Sequence, residues 1–530
     1  MPSKTPRTLA ALVSAVVAVS LAVGLLVNAA AERWRSPLET ARALARGGHY
    51  AEAERVYLGV WKQRPPSVPV LVELVENHQR RRLLEALRDL SPHGSPAASH
   101  PAPDSPTDES IVALLAAPDL PRDVALLGHF WANVTRGTLT SADRRPVVAA
   151  ADANPPMPWS NHLLGREAQD TDRTDEAADR FAREATAFDE RAEDADAACS
   201  DWIASGRWDR ISAALTSARF ARQVSDHVRF EEALARRDLW AIARWFLPAQ
   251  YEGSTPGVLL LALVSGLVWF VICLQVGLVR ERPRVRVPLY AAAFALGVAS
   301  TYVALAFATI ERALGFVEKR QAGADLIYFA VGVGLREELS KALLLLPLVP
   351  VLRRWGTRRE AFACGALVGL GFAVEENIGY LQIGLETALA RFLTANFLHL
   401  STTGLVAVAI HDSARGREPG DLSRTLMLVV GAHGLYDFFL SSGSVESGSF
   451  LAMFVFVLLT RRFVNVLREL PGKEAPLLRS FIVGLALVAG STFVYACTIV
   501  SPLQAAVALL EGGLGLVIVA YMFVQEFKSV

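Results

Sequence analysis

The chain has little of what would staple or label an exported domain. It has four cysteines in 530 residues and no Cys-x-x-Cys pair. Only Cys199 lies in the charged half, so no disulfide framework is available there; Cys273, Cys364 and Cys497 sit inside apolar runs. Net charge is missing too, because 53 basic residues balance 53 acidic ones, and nothing marks nucleic acid as a partner. Several catalytic signatures are absent: a His-Glu-x-x-His helix, a serine in a Gly-x-Ser-Gly context, and a Walker-type phosphate loop. These absences set aside zincin chemistry, serine intramembrane proteolysis and ATP-driven transport by this chain. Tyr436-Asp437 resembles half of an aspartyl intramembrane pair, but its Gly-x-Gly-Asp partner is lacking: Glu418 precedes Pro419-Gly420-Asp421.

What is present is unevenly placed. Charge concentrates before Glu252, and apolar runs succeed one another from there to the C-terminus. The fold class this predicts is all-α: a polytopic helical membrane protein with about ten spans, joined to a soluble α-helical domain near the N-terminus. Residues 1–32 read as an anchor. Lys4 and Arg7 precede the apolar segment Leu9 to Ala31, which is long enough to span; its end, Ala29-Ala30-Ala31, also resembles a signal-peptide cleavage site. Either reading exports the charged half of the chain.

Residues 33–250 are rich in Ala, Leu, Glu and Arg, and read as an extracytoplasmic helical domain. Ala41, Leu44, Ala45, Gly48, Tyr50, Ala53, Tyr57 and Pro65 follow the spacing of one tetratricopeptide-like helix pair. A looser echo runs through Trp159, Leu163, Gly165, Ala178, Phe181 and Ala185, and a shorter one through Gly206, Trp208 and Ala213. Such a surface suits a peptide or protein partner, while an amphipathic bundle without a ligand fits the same pattern. Residues 91–110, rich in Pro, Ser and His, read as a linker. Trp240, Trp245 and Phe246 bring aromatics to the edge of the next apolar run, as at a membrane interface.

Beyond residue 255, nine further spans are expected, at 256–279, 287–310, 325–352, 361–384, 391–411, 422–441, 449–468, 478–500 and 503–525. Arginines and lysines fill alternate loops (Arg280 to Arg286, Arg353 to Arg359, Arg415 to Arg424, Arg461 to Arg479), and the short loop 441–449 has none. Positive charge inside then predicts a multi-pass cell-membrane protein with an extracytoplasmic helical domain and a cytoplasmic C-terminus.

Four consecutive spans carry groups that hydrocarbon should not hold, each costing about 2.5–3.5 kcal/mol on insertion scales. The first has Glu337, Glu338 and Lys341; on a helix one turn brings the lysine beside both carboxylates. The second has Glu375, Glu376 and Asn377, with Tyr380 a turn on. The third has Arg391, His399 and Thr402. The fourth has His433, Tyr436 and Asp437. One shared polar site explains them better than four packing accidents. Glutamates, histidines and an asparagine suit water activation for acyl hydrolysis, with Asn377 donating to a developing oxyanion. The same residues permit a second version, in which His399, His433 and Glu376 form the two-His, one-Glu set of a single zinc ion and Glu338 is the base. Spacing leaves both versions open.

These motifs resemble the PrsW family of intramembrane proteases, relatives of the type II CAAX prenyl endopeptidases, over about residues 255–470. The resemblance implies a protease core at 251–470, with residues 471–530 as two added C-terminal spans. It implies catalysis by Glu337 and Glu338, with His433 and His399 as their partners or metal ligands, by a metal-dependent or a glutamate-type route. It also implies a membrane-anchored protein substrate in the lipid bilayer, of which a membrane-tethered anti-sigma factor is one kind. Two readings from other classes use the same residues: a proton-coupled transporter, and an inactive receptor that binds through its helical repeats.

Overall fold

The computed structural model describes residues 5–46, 48–63, 66–89, 108–383, 387–417, 420–442, 448–470 and 477–528, and every regular element among them is a helix. It divides into two units, residues 30–253 and residues 1–29 with 254–530. Most of the proposed linker, residues 91–107, lies outside the described residues, as do Lys4, Pro65 and Glu418. The linker's last three residues, 108–110, begin the helix Asp108–Leu115.

The unit 30–253 is built mostly from short helices that bury one face. Pro37–Arg46 and Tyr50–Gln63 pair through Ala41, Leu44, Ala53 and Tyr57, all buried. The turn between them passes through Gly48 at φ +79°, a left-handed conformation that a side chain would strain. Ser160–Asp170, Thr174–Ala187 and Ala192–Ala204 share a core of Ala168, Ala178, Phe181, Ala185, Ala198 and Trp202. Gly165 is needed there, because a Cβ would lie 2.7 Å from the Phe181 ring. Local start signals agree with these bounds. Thr140 and Asp143 cap a helix reciprocally, and Ser225 caps Asp226–Arg236.

The second unit holds seven helices among the described residues that are long and apolar enough to cross a membrane: Thr8–Ala31, Pro256–Val276, Pro283–Arg312, Arg358–Gln382, Thr387–Ala414, Phe450–Glu469 and Leu477–Ala496. Pro502–Leu514 and Val517–Phe527, bent by 64°, make an eighth if taken as one span. Two of the expected spans are not among these. Residues 420–441 form one helix, Gly420–Ser441, interrupted in polarity by His433 and Asp437. The expected span 325–352 is broken into Ala322–Ile327, a wide π-helical stretch Tyr328–Leu335, Arg336–Leu345, a tight turn Leu346–Leu348 and Val349–Trp355. Pro347 and Pro350 lack the amide hydrogens that a continuous helix would use.

Lipid tails give no hydrophobic drive between helices, so close backbone approach and van der Waals packing must hold this unit together. Arg358–Ile383 is its centre, and glycines let its neighbours in. A Cβ on Gly369 would lie 2.1 Å from the His399 carbonyl oxygen, and one on Gly371 would lie 2.2 Å from that of Phe294. Trp269 is the other anchor: its indole donates to the Phe392 carbonyl at 2.8 Å, and Phe397, Phe481, Phe523 and Phe527 pack round it.

Candidate active site

The polar site is made where Arg336–Leu345, Arg358–Ile383, Ala395–Ala414 and Gly420–Ser441 meet. The π-helical stretch leads straight into Glu337 and Glu338. It is set by contact between two glycines: a Cβ on Gly334 would lie 2.9 Å from the Gly434 amide nitrogen, and one on Gly434 would lie 2.6 Å from Ala330 Cα. Wide turns of this kind concentrate at functional sites.

Glu338 is wholly buried, and three groups converge on its Oε1. Lys341 Nζ donates at 2.8 Å, His433 Nδ1 donates at 2.8 Å and the Thr402 hydroxyl donates at 3.2 Å. Among the described residues its second oxygen, Oε2, has no hydrogen-bond partner, and neither has Glu337 Oε2. Glu337 Oε2 instead lies 3.6 Å from Lys341 Nζ and 3.6 Å from His433 Nε2. Lys341, fully buried, also donates to His399 Nδ1 at 2.8 Å, and its ammonium sits 4.2 Å from the centre of the Phe372 ring. Asp437 Oδ2 approaches His433 Nε2 at 3.2 Å.

From His399 the network runs outward. His399 Nε2 is 3.0 Å from Glu376 Oε2, to which Arg391 donates at 2.6 Å. Arg391 also donates to Asn377 Oδ1 and stacks 3.7 Å over the half-exposed Tyr380 ring. Asn377 Nδ2 donates to Asn396 Oδ1 at 2.7 Å, and Asn396 Nδ2 donates to the Ser265 hydroxyl at 2.7 Å. The network is dry at Lys341 and reaches the surface at Glu376 and Tyr380. Gln382, on the same helix as Tyr380, donates to Ser254 at 2.6 Å.

Every residue singled out from the sequence for this site lies in these four helices or in Thr387–Leu393, which carries Arg391. Glu375 is buried, and Tyr436 is buried one turn from His433. Asn396 and Ser265 were not foreseen. Both are wholly or nearly buried polar groups in apolar spans, a signal present in the sequence but weak for single uncharged residues.

Among the described residues, the donor atoms that converge enough to hold a metal ion belong to Glu337, His399 and His433, all within 4.8 Å of one another. Glu337 thus takes the place expected of Glu376, which is engaged with Arg391. Two imidazoles and a carboxylate are a set that suits a catalytic divalent ion. The unpartnered Glu337 Oε2 and the carboxylate held against His433 Nδ1, Glu338, are what such a set needs. The residues present therefore fit one ion.

Residues 286–460 match the family described as PrsW family intramembrane metalloprotease. The match leaves out the helical domain and the last two apolar segments. No curated protein and no solved structure matches the chain.

Proposed function

We propose that the protein, whose residues 286–460 match the family described as PrsW family intramembrane metalloprotease, is a peptidase that cleaves membrane-anchored protein substrates at the cluster of Glu337, Glu338, His399 and His433. The observation that carries this reading is the pair of buried carboxylate oxygens, Glu337 Oε2 and Glu338 Oε2, that have no hydrogen-bond partner beside two histidines and a buried ammonium. Orphaned acceptors of this kind cost stability, and a catalytic role is one reason a fold retains them.

Glu338 is the proton acceptor in this proposal. Its Oε1 is pinned by Lys341, His433 and Thr402, which leaves Oε2 aimed by three fixed contacts and free to take a proton from water. As water gives up that proton its oxygen adds to the scissile carbonyl carbon, and the proton held at Oε2 then goes to the leaving amine as the peptide C–N bond breaks. Glu337, His399 and His433 would hold a divalent ion, which when bound supplies Lewis-acid polarisation of the scissile carbonyl and a more acidic water. Lys341 supplies positive charge within the same cluster, and Arg391 carries positive charge to the mouth.

Ten spans with residues 33–250 outside the cell membrane and a cytoplasmic C-terminus satisfy the arginine pattern of the loops. An uncleaved N-terminal anchor is supported by Asn28, whose side chain donates to the carbonyls of Cys497 and Val500 at 3.3 and 3.4 Å. The helical domain, tetratricopeptide-like in its spacing, would bind a peptide or protein partner, and a membrane-tethered signalling protein such as an anti-sigma factor is the substrate class proposed.

The test compares peptide termini in membranes of cells making the wild type and Glu338→Gln. New termini near transmembrane segments, present only with the wild type, name the substrate. Cleavage of that substrate in proteoliposomes should fall about 10²–10⁴-fold in Glu338→Gln, the usual contribution of a positioned proton acceptor. Full activity in that variant would remove Glu338 from the role. Metal content of the purified protein, with and without chelator, tests the ion, and Glu337→Gln should lower it.

A further inference from the structure

The last helix of the domain, Leu239–Tyr251, buries none of its residues. Its exposed positions are 239, 240, 243, 244, 247 and 248, a single stripe at helical spacing. Five of the six are apolar: Leu239, Trp240, Ala243, Leu247 and Pro248. Trp240 is 84% exposed and Leu239 80%. The opposite side is already used: Phe246 packs on Phe230 with ring centroids 5.8 Å apart, and Trp245 lies under Arg229 at 4.8 Å. A rigid helix that shows water a tryptophan and two leucines in one stripe needs something to cover them.

The chain itself limits what that can be. Asp238 caps the start of the helix, accepting from the amides of Trp240 and Ala241 at 3.1 Å. At the other end, Glu252 accepts from the amides of Asp226 and His227 at 2.9 and 2.8 Å, closing the hairpin 226–252. Only residues 253–255 then separate this hairpin from Pro256, where a membrane-length helix starts. Three extended residues reach about 10 Å, and the headgroup layer of a bilayer is of order 5–8 Å deep on each side. The stripe is therefore tethered within reach of the lipid headgroups. Its charges suit that place: Arg244 lies in the stripe, 4.8 Å from the Trp245 ring, and Arg237 is exposed just before the helix. The domain's other connection repeats the pattern, with Trp34 81% exposed beside an exposed Arg33 at the end of Thr5–Trp34.

We propose that Leu239–Tyr251 is an interfacial helix that seats the stripe Leu239, Trp240, Ala243 and Leu247 in the membrane surface, with Arg244 on lipid phosphate. A tryptophan-bearing apolar face rimmed by arginine is what such helices present to a bilayer. The consequence is that this helix, and not only the chain connection at residues 253–255, touches the membrane.

The test uses the full chain in phosphatidylcholine–phosphatidylglycerol vesicles. The four native cysteines are buried, so a spin label can be directed to Trp240→Cys or Leu247→Cys, with Asp175→Cys, on the exposed surface of the domain, as the aqueous reference. Labels at 240 and 247 should show a several-fold higher ratio of oxygen to nickel-chelate collision than the label at 175, and Arg244→Glu should lower that ratio. Equal ratios at all three sites would overturn the proposal by showing a solvated face. Exclusion of both reagents at 240 and 247 would overturn it by showing a protein cover. A second measurement needs no label. Lipids brominated near the headgroup should quench part of the wild-type tryptophan emission, and Trp240→Phe should remove part of that quenching; no change on this substitution would also count against the proposal. Both readouts are independent of proteolysis.

Discussion

Lys341 donates to Nδ1 of His399 across 2.8 Å, and an ammonium has no lone pair with which to accept. The lysine therefore fixes the tautomer of the histidine. Nδ1 accepts, so the proton of the neutral ring is on Nε2, from which it is donated to Glu376 at 3.0 Å. His433 is set the other way, with Nδ1 donating to Glu338 and Nε2 turned to Glu337 and Asp437. One buried lysine and one buried glutamate thus orient both imidazoles, and His399 joins a metal ion only by giving up one of its two partners.

Lys341→Met should damage the protein more than the loss of one contact suggests. It leaves Glu338 as a wholly buried carboxylate without its ammonium, and breaking a buried pair from one side costs about 3–5 kcal/mol. Lys341→Arg should not rescue it, because a planar guanidinium does not fit a fully buried position beside the Phe372 ring. Thermal unfolding in detergent, followed by helical circular dichroism, measures both. Wild-type midpoints for Lys341→Met would mean that Glu338 does not depend on this pair.

Gly369 holds His399 in place through the backbone. A Cβ there would lie 2.1 Å from the His399 carbonyl oxygen, so Gly369→Ala must push two helices apart at the site. Overpacking of this kind costs about 1–3 kcal/mol, and cleavage should fall with it. Gly379, on the same helix, has nothing among the described residues within 4 Å of its Cβ position. There alanine should be neutral or stabilising, by up to about 1 kcal/mol from helix propensity. Comparing the two variants in one cleavage and unfolding assay separates a steric effect from a general intolerance of the helix.

Much of this site was legible in the sequence because charge in an apolar run is costly. Glu337, Glu338, Lys341, Glu376, Arg391, His399 and His433 announce themselves that way. The missing information is rotational. Whether Glu337 or Glu376 joins the two histidines depends on how each helix is turned about its axis, which no spacing within one helix reveals. The break at residues 346–348 is legible in Pro347 and Pro350. The π-helical stretch before Glu337 is not, because the contact that demands it is with Gly434, some hundred residues away. Asn396 was missed for a related reason: a single amide in an apolar helix has meaning only once its partners, Asn377 and Ser265, are known.

That amide chain changes what Asn377 can do. One of its two Nδ2 hydrogens goes to Asn396 and its Oδ1 accepts from Arg391, so the side chain ties Arg391 to Asn396. Asn377→Ala and Asn396→Ala should therefore act as one unit. In a double-mutant cycle on cleavage rate, the pair should lose less than the sum of the singles, with a coupling of about 0.5–3 kcal/mol. Strict additivity would return Asn377 to a separate role at the substrate carbonyl.

The helical domain carries a pH dependence of its own, centred on His162. Its Nδ1 lies 2.7 Å from Asp194 and its Nε2 lies 3.1 Å from Glu76, which also holds Arg166 at 2.7 Å. Burial alone would lower the histidine's pKa, but Asp194 and Glu76 outweigh it and raise the value to about 9. A raised histidine value stabilises the fold fully below the unfolded value near 6.5, and that contribution is lost as pH climbs through 9. The shift corresponds to at most about 3 kcal/mol by linkage. Glu76 shows the other side of the same contact. Burial raises it, His162 and Arg166 pull it down to about 2, and its contribution, present above the unfolded value, fades only as pH falls toward that figure. Hydrogen exchange of the full chain in detergent, corrected for intrinsic rate, should show Ser160–Asp170 and Ala192–Ala204 losing protection between about pH 7 and 9. His162→Gln should be less protected at neutral pH and flat across that range. Equal pH profiles for the two proteins would show that the imidazole is not charged in the folded domain.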